Sequence, residues 1–167
     1  MRIFGLAGWS GSGKTTLLIR LLPVLVGRGI TVSTVKHAHH AFDVDQPGKD
    51  SWRHREAGAH EVLVSSARRW ALMHEHRGAA EPGLDELVRH MSPVDLVLVE
   101  GFKTHPHPKL EIHRQALGKP LLCRDDPFIV AVASDAPLGT LPVPRLSLDD
   151  AAGIAEFILA HCHLKAA

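Results

Sequence analysis

Gly8-Trp9-Ser10-Gly11-Ser12-Gly13-Lys14-Thr15 is the stretch on which the reading of this chain turns. It fits GxxxxGK[ST] at every fixed position. Its surroundings are the ones that pattern needs. Residues 2–7 before it form a short apolar run suited to a buried strand. After it, Leu17, Leu18, Leu21, Leu22 and Leu25 recur at helical spacing from about residue 14 to residue 27. Gly27 and Gly29 then stop the helix. A strand, a glycine-rich turn and a helix in this order make a P-loop, also called Walker A.

Outward from the loop, strands and helices alternate. Residues 30–35 are β-branched and read as a second strand, and 37–48, rich in His, Asp, Pro and Gly, as a loop. Residues 50–58, 84–91 and 148–161 read as helices. Residues 94–99, 109–113 and 128–133 read as strands. Two strand-like runs, 61–65 and 69–75, flank Ser66-Ala67-Arg68 and suggest a β-hairpin. The expected fold is α/β, P-loop NTPase-like and three-layered. It has a mainly parallel sheet flanked by helices, with the hairpin giving antiparallel edge strands. Residues 1–167 are expected to form a single nucleotide-binding domain, since 167 residues is close to the roughly 150 typical of one.

The residue types carry the chemistry. Glycines tolerate positive φ and let backbone N–H groups approach phosphate oxygens. The helix N-terminus adds partial positive charge. Gly8, Ser10, Gly11, Ser12, Gly13, Lys14, Thr15 and Thr16 are therefore the expected nucleotide contacts. Lys14 should reach the β- and γ-phosphates, and the Thr15 hydroxyl should ligate Mg2+. Asp95-Leu96-Val97-Leu98-Val99-Glu100 is an apolar strand ending in an acid. A carboxylate at that strand end can bind Mg2+ or simply cap the strand, and aspartate is the usual residue there. Lys14 and Glu100 are the expected catalytic residues. Asp45, in the loop after the second strand, is either a further Mg2+ ligand or an exposed loop aspartate. Lys36 and His37 directly follow the second strand on the side of the sheet that faces the crevice, where they could meet phosphate or a second anion.

Composition excludes several classes. With 19 Lys+Arg against 18 Asp+Glu, the formal charge of +1 argues against a protein held to nucleic acid by bulk charge. Two cysteines, Cys123 and Cys162, form no disulfide framework, and a reducing cytoplasm is the expected compartment. No apolar run is long enough to span a membrane. Thirteen histidines are unusual. His37, His39, His40, His105 and His107 could together bind zinc or nickel, but their spacing is not specific for a metal. With His113, Lys49, Arg53, Lys103, Lys109 and Arg114 they read more simply as a positive rim around the crevice, suited to a phosphorylated small molecule.

Several stretches together are more specific than the P-loop. They are residues 7–18 around that loop, Lys36-His37-Ala38-His39-His40, Asp43-Val44-Asp45-Gln46-Pro47-Gly48-Lys49-Asp50-Ser51 and Arg69-Trp70-Ala71-Leu72-Met73. Leu98-Val99-Glu100-Gly101-Phe102-Lys103 and Ile129-Val130-Ala131-Val132-Ala133-Ser134-Asp135 complete the set. In this order, over nearly the whole chain, they resemble the MobB family of molybdopterin-guanine dinucleotide biosynthesis accessory proteins. The resemblance implies a GTP-binding, weakly hydrolysing homodimer. It would assist a MobA-type guanylyltransferase that converts molybdopterin to molybdopterin guanine dinucleotide. Guanylyl transfer then belongs to the partner, and molybdopterin is a further candidate ligand. No NKxD signature is present, so Asp135, ending an apolar strand, is either the guanine-reading residue or a turn-initiating aspartate. No motif supplies a water-orienting glutamine or an arginine finger, groups worth about 10³–10⁵ in rate, so hydrolysis should be slow at most. The alternatives are a small-molecule P-loop kinase and a metal-delivery GTPase.

Overall fold

In the computed structural model, residues 1–38 and 42–165 are described. Along the chain they form β1 (Arg2–Ala7), α1 (Lys14–Val26), β2 (Val32–Lys36), α2 (Asp50–Glu56), β3 (Glu61–Ser65) and β4 (Trp70–His74). Then follow α3 (Leu84–Arg89), β5 (Leu96–Glu100), β6 (Lys109–His113), β7 (Ile129–Ser134), β8 (Arg145–Ser147) and α4 (Ala151–His161). Two 3-10 turns, Gln115–Leu117 and Leu122–Arg124, precede β7. The chain packs as two compact units, one of residues 1–37 with 91–167 and one of residues 38–90.

The first unit holds a parallel sheet of six strands among the described residues, in the order β2-β5-β1-β6-β7-β8. β1 lies between β5 and β6, which register sets at Leu6 opposite Glu100 and Ala7 opposite Glu111. All strands run the same way, so the loops after β1, β2, β5, β6 and β7 emerge at one end. Ligands of such sheets bind at that end.

The two faces of the sheet have different linings. Phe4, Leu6, Leu96, Leu98, Leu110, Ile112, Ala131 and Ala133 pack in one core with residues of α1 and α4. From α1 this core takes Leu17, Leu21 and Leu25, spaced four apart on one stripe, and from α4 it takes Ile154 and Ile158. Each such side chain contributes roughly 1.5–3 kcal/mol when fully buried. A smaller cluster on the other face joins Ala7, Ile129 and Val132 to Cys123 and the chain around Leu121, Leu138 and Val143. Cys123 and Cys162 are free buried thiols.

The second unit contains α2, the hairpin and α3. β3 and β4 pair antiparallel from Glu61 opposite His74 to Ser65 opposite Trp70. Among the described residues they form a two-stranded sheet of their own, and the edges of the six-stranded sheet are β2 and β8. The hairpin is thus present and antiparallel, but it does not extend the main sheet as edge strands. β8 is the strand the sequence does not announce. Its three residues follow a proline-rich stretch and, among the described residues, pair only with β7.

Candidate functional site

β1 delivers the chain into the loop at Gly8. Gly8, Gly11 and Gly13 take φ values of 145°, 80° and 94°, which side chains resist. Gly8 is also closely packed, since a Cβ there would stand 2.6 Å from both the Ile112 carbonyl oxygen and the Ser12 Oγ. Ser12 N–H donates to the Trp9 carbonyl at 3.1 Å, closing the turn. α1 starts directly after left-handed Gly13 and has no acid in its first turn. Its positive end is therefore not neutralised by its own side chains. The Lys14 Nζ folds over the loop and donates to the Gly8 and Trp9 carbonyls, each at 3.0 Å.

β5 brings the second half of the site. The Thr15 hydroxyl donates to the Glu100 carboxylate, with Oγ1 3.1 Å from Oε1 and 3.0 Å from Oε2. Glu100 is 9% exposed, at the strand end that the sequence indicates. Both are hard oxygen ligands of the kind Mg2+ takes, so the pair fits that ion. Ser10, Gly11, Gly13, Lys14, Thr15, Thr16 and Glu100 line a cleft of about 380 Å³. Burial lowers the Lys14 pKa from its ordinary value; Glu100 opposes the shift, while Lys103 and Lys36 add to it. Three lysines and one carboxylate thus share a neighbourhood that favours an anion.

The rim on the β2 side is held by packing. Lys36 lies opposite Glu100 in register, and the His37 N–H donates to the Glu100 carbonyl at 2.8 Å. The His37 ring rests 4.8 Å from that of Phe102. Gly101 and Phe102 both take positive φ, 108° and 47°. A Cβ at Gly101 would meet that of His37 at 2.5 Å. Local strain of this kind beside Glu100 persists only where the surroundings hold it.

The opposite rim holds a residue that sequence reasoning placed only in a general positive belt. Arg114 is the first residue past β6. Its Nε donates to the Ser12 carbonyl at 3.1 Å, and its Nη1 to the Asp135 carboxylate at 3.3 Å. The second Asp135 oxygen accepts from the Gln115 N–H at 3.2 Å. Trp9 also reaches this side, through Nε1 to the Pro120 carbonyl at 2.9 Å. The signal that could have singled out Arg114 is its place immediately after a central parallel strand.

Other expected rim residues lie elsewhere. Lys109, His107 and His113 are 1%, 3% and 8% exposed, so they are not part of an open anion-binding rim. For Lys109 and His113 the reason is that β6 is an inner strand, buried along its whole length. Lys109 is satisfied there by Asp126 at 3.1 Å and lies over the Phe128 ring. Glu111, also fully buried, accepts from the Leu122 and Cys123 N–H groups. His107 packs so tightly on β1 that a Cβ at Gly5 would stand 2.4 Å from its Nε2.

Asp45 belongs to the second unit. It accepts from the Ser51 hydroxyl at 2.8 Å, the Gln46 N–H at 3.0 Å and the Arg55 Nε at 3.2 Å. Arg55 also binds Asp43 and Glu75, and these bonds raise the pKa of its guanidinium further. Lys49 and Arg53 lie in the same unit. Among the described residues no group of three or more His, Cys, Asp or Glu is placed to hold a metal ion. His39 and His40 lie outside the described residues. No helix among the described residues is long and apolar enough to cross a membrane.

Comparison with known proteins agrees with this architecture. The family model of MobB, molybdopterin guanine dinucleotide synthesis protein B, matches residues 3–135. A molybdopterin-guanine dinucleotide biosynthesis adapter protein of Escherichia coli is 45% identical over 160 residues, covering 94% of this chain and 91% of the relative. One of the same name from Haemophilus influenzae is 45% identical over 167 residues, covering 96% and 91%. The crystal structure of a MobB homologue from Bacillus stearothermophilus has a TM-score of 0.71 at 26% identity, covering 98% of this chain and 99% of that one. Bacillus subtilis MobB, at 24% identity and a TM-score of 0.74 over 96% and 97% of the two chains, shares the fold. From the match over residues 3–135 and the two relatives at 45% identity, this chain belongs to the MobB family.

Proposed function

We propose that the chain binds Mg2+-GTP in the cleft between the phosphate loop and β5. In this reading it acts as an adapter to a MobA-type guanylyltransferase that converts molybdopterin to molybdopterin guanine dinucleotide. The observation that carries the nucleotide reading is the Thr15–Glu100 pair beside Lys14 at the start of α1. The adapter role is supported by the names of the two relatives. Thr15 and Glu100 would hold Mg2+, which supplies charge neutralisation for the β- and γ-phosphates. Lys14 leaves two loop carbonyls to meet the phosphates, and the N–H groups of the first turn of α1 orient them. Asp135 keeps lone pairs free beside its present partners and is the base-reading candidate. In the same reading the protein is cytoplasmic and homodimeric, and any hydrolysis is slow.

Reconstitution tests the reading. Mg2+-GTP, molybdopterin and the guanylyltransferase are combined with and without the chain, and dinucleotide formation is followed. The chain should raise the yield or rate, and Lys14→Ala should abolish the gain. Lys14→Ala should also weaken GTP binding by at least about tenfold, the weight of a charge-assisted hydrogen bond. An unchanged yield with and without the chain would remove the adapter reading. Unchanged GTP affinity in Lys14→Ala would remove the phosphate-loop reading.

A further inference from the structure

We infer that Arg114 is a phosphate-contacting residue of this site, reaching the polyphosphate chain of the bound nucleotide, and that Asp135 positions its guanidinium. The inference rests on the nucleoside-triphosphate reading above and adds a ligand contact that the loop motif does not contain.

β6 runs beside β1 with Glu111 opposite Ala7, so Arg114 emerges level with the loop that follows β1. Its Nε holds the Ser12 carbonyl. Both Nε and Nη2 stand 3.4 Å from where a Cβ of Gly13 would be. The guanidinium is thus packed on the residue that opens α1. A larger residue at position 13 would press on it.

Electrostatics gives the reason to look for an anion. A guanidinium beside a helix N-terminus faces like charge, and the arrangement is unfavourable by itself. α1 has no acid in its first turn to relieve it, and Lys14 is the next residue. The compensating charge is Asp135, which binds the Nη1 edge of the fork. The Nη2 group makes no hydrogen bond among the described residues, and the side chain is 40% exposed. A phosphate beside Gly13 would satisfy the helix end, Lys14 and this free edge together. Arginine suits the task because its planar fork can bind a protein carbonyl, a carboxylate and a phosphate oxygen at once.

Asp135 is placed to fix that fork and not only to read a base. Its two oxygens bind Arg114 Nη1 and Gln115 N–H, so one carboxylate sets both the side chain and the turn that carries it. The same segment is tied back to the phosphate loop. Trp9 Nε1 donates to the Pro120 carbonyl, and the Lys119 ammonium lies over the Trp9 ring.

The test measures Mg2+-GTP binding by calorimetry and inorganic triphosphate binding by competition, the latter probe having neither base nor sugar. Wild type is compared with Arg114→Ala, Arg114→Lys, Asp135→Asn and Lys14→Ala over a range of salt. Arg114→Ala should weaken both ligands by about tenfold to a hundredfold and flatten the salt dependence. Arg114→Lys should recover part of the loss. Asp135→Asn should weaken both ligands together, by less. If Arg114→Ala leaves triphosphate binding unchanged while Lys14→Ala abolishes it, the inference fails and the nucleotide reading stands. If Arg114→Ala weakens binding with no change in salt dependence and no recovery by lysine, Arg114 only braces the loop, and the inference fails. A loss in Asp135→Asn confined to GTP assigns Asp135 to the base and overturns its positioning role. If wild type binds neither ligand, the nucleotide reading itself fails.

Discussion

Glu100 stands where the aspartate of a phosphate-binding fold is usual, one methylene longer. Its carboxylate receives both contacts from Thr15 while the backbone stays in register with Lys36 and Leu6. Glu100→Gln keeps the shape and removes the charge. It should raise Mg2+-free GTP affinity, since a charge that repels the phosphates is gone, and abolish most of the strengthening that Mg2+ brings, as read by titration with and without the ion. His107 offers a different residue-scale test. Burial chiefly pushes its pKa down to about 4, with Lys109 and His105 adding to the shift and the His105 carbonyl and Asp126 opposing it. The unfolded chain takes up a proton near pH 6.5, whereas the folded chain does so only near pH 4. The stability contribution is therefore whole above about pH 6.5 and is lost progressively down to about pH 4. Its ceiling is about 3 kcal/mol. Urea unfolding at pH 7.5 and pH 5 should show the fall, and His107→Leu should flatten it. None of this was legible in the sequence, because a histidine two residues before a strand looks the same whether it caps a rim or fills a space over Gly5.

At the scale of elements, α1 shows why pattern reading succeeds. Leucines at 17, 21 and 25 define one stripe, and that stripe is the one buried on the sheet. Leu21→Ala should cost about 2–5 kcal/mol, measured as a lower urea midpoint with an unchanged slope. A smaller loss would mean that the core collapses around the gap. β6 shows the opposite case. Lys-Leu-Glu-Ile-His alternates as a half-exposed strand would, yet all five residues are buried. Alternation reports which residues are apolar and cannot say that Asp126 and the 122–123 backbone wait on the polar face. β8 is silent in the sequence for a related reason. Three residues carry no periodicity, and only the free edge of β7 makes them a strand.

At the scale of the whole molecule, the hairpin of the second unit carries the surface least like that of a solitary protein. Leu63 and Leu72 lie opposite one another in register, and Trp70 is on the same face two residues along. They are 60%, 44% and 63% exposed. In the homodimer reading these side chains supply the contact. Leu72→Asp should then shift the sedimentation coefficient to that of a monomer while GTP affinity is retained. A variant that stays dimeric would move the interface off the hairpin.

The glycine-rich turn, the strand before it, the helix after it and the acid at the end of β5 are all legible in the sequence alone. Those features rest on local rules, namely glycine at positive φ, leucine every turn and a carboxylate closing an apolar run. The sequence also carried the family, through motifs kept in order along the chain. Tertiary structure alone decided which of the many cations face the loop. Arg114 and Lys109 are five residues apart on one strand and its exit, yet one packs on Gly13 and the other is sealed against Asp126. Their fates differ because Lys109 lies within an inner strand that is buried along its length, while Arg114 is one residue past that strand, at the end of the sheet where the loops gather, and strand order is a long-range property that no short window of sequence contains.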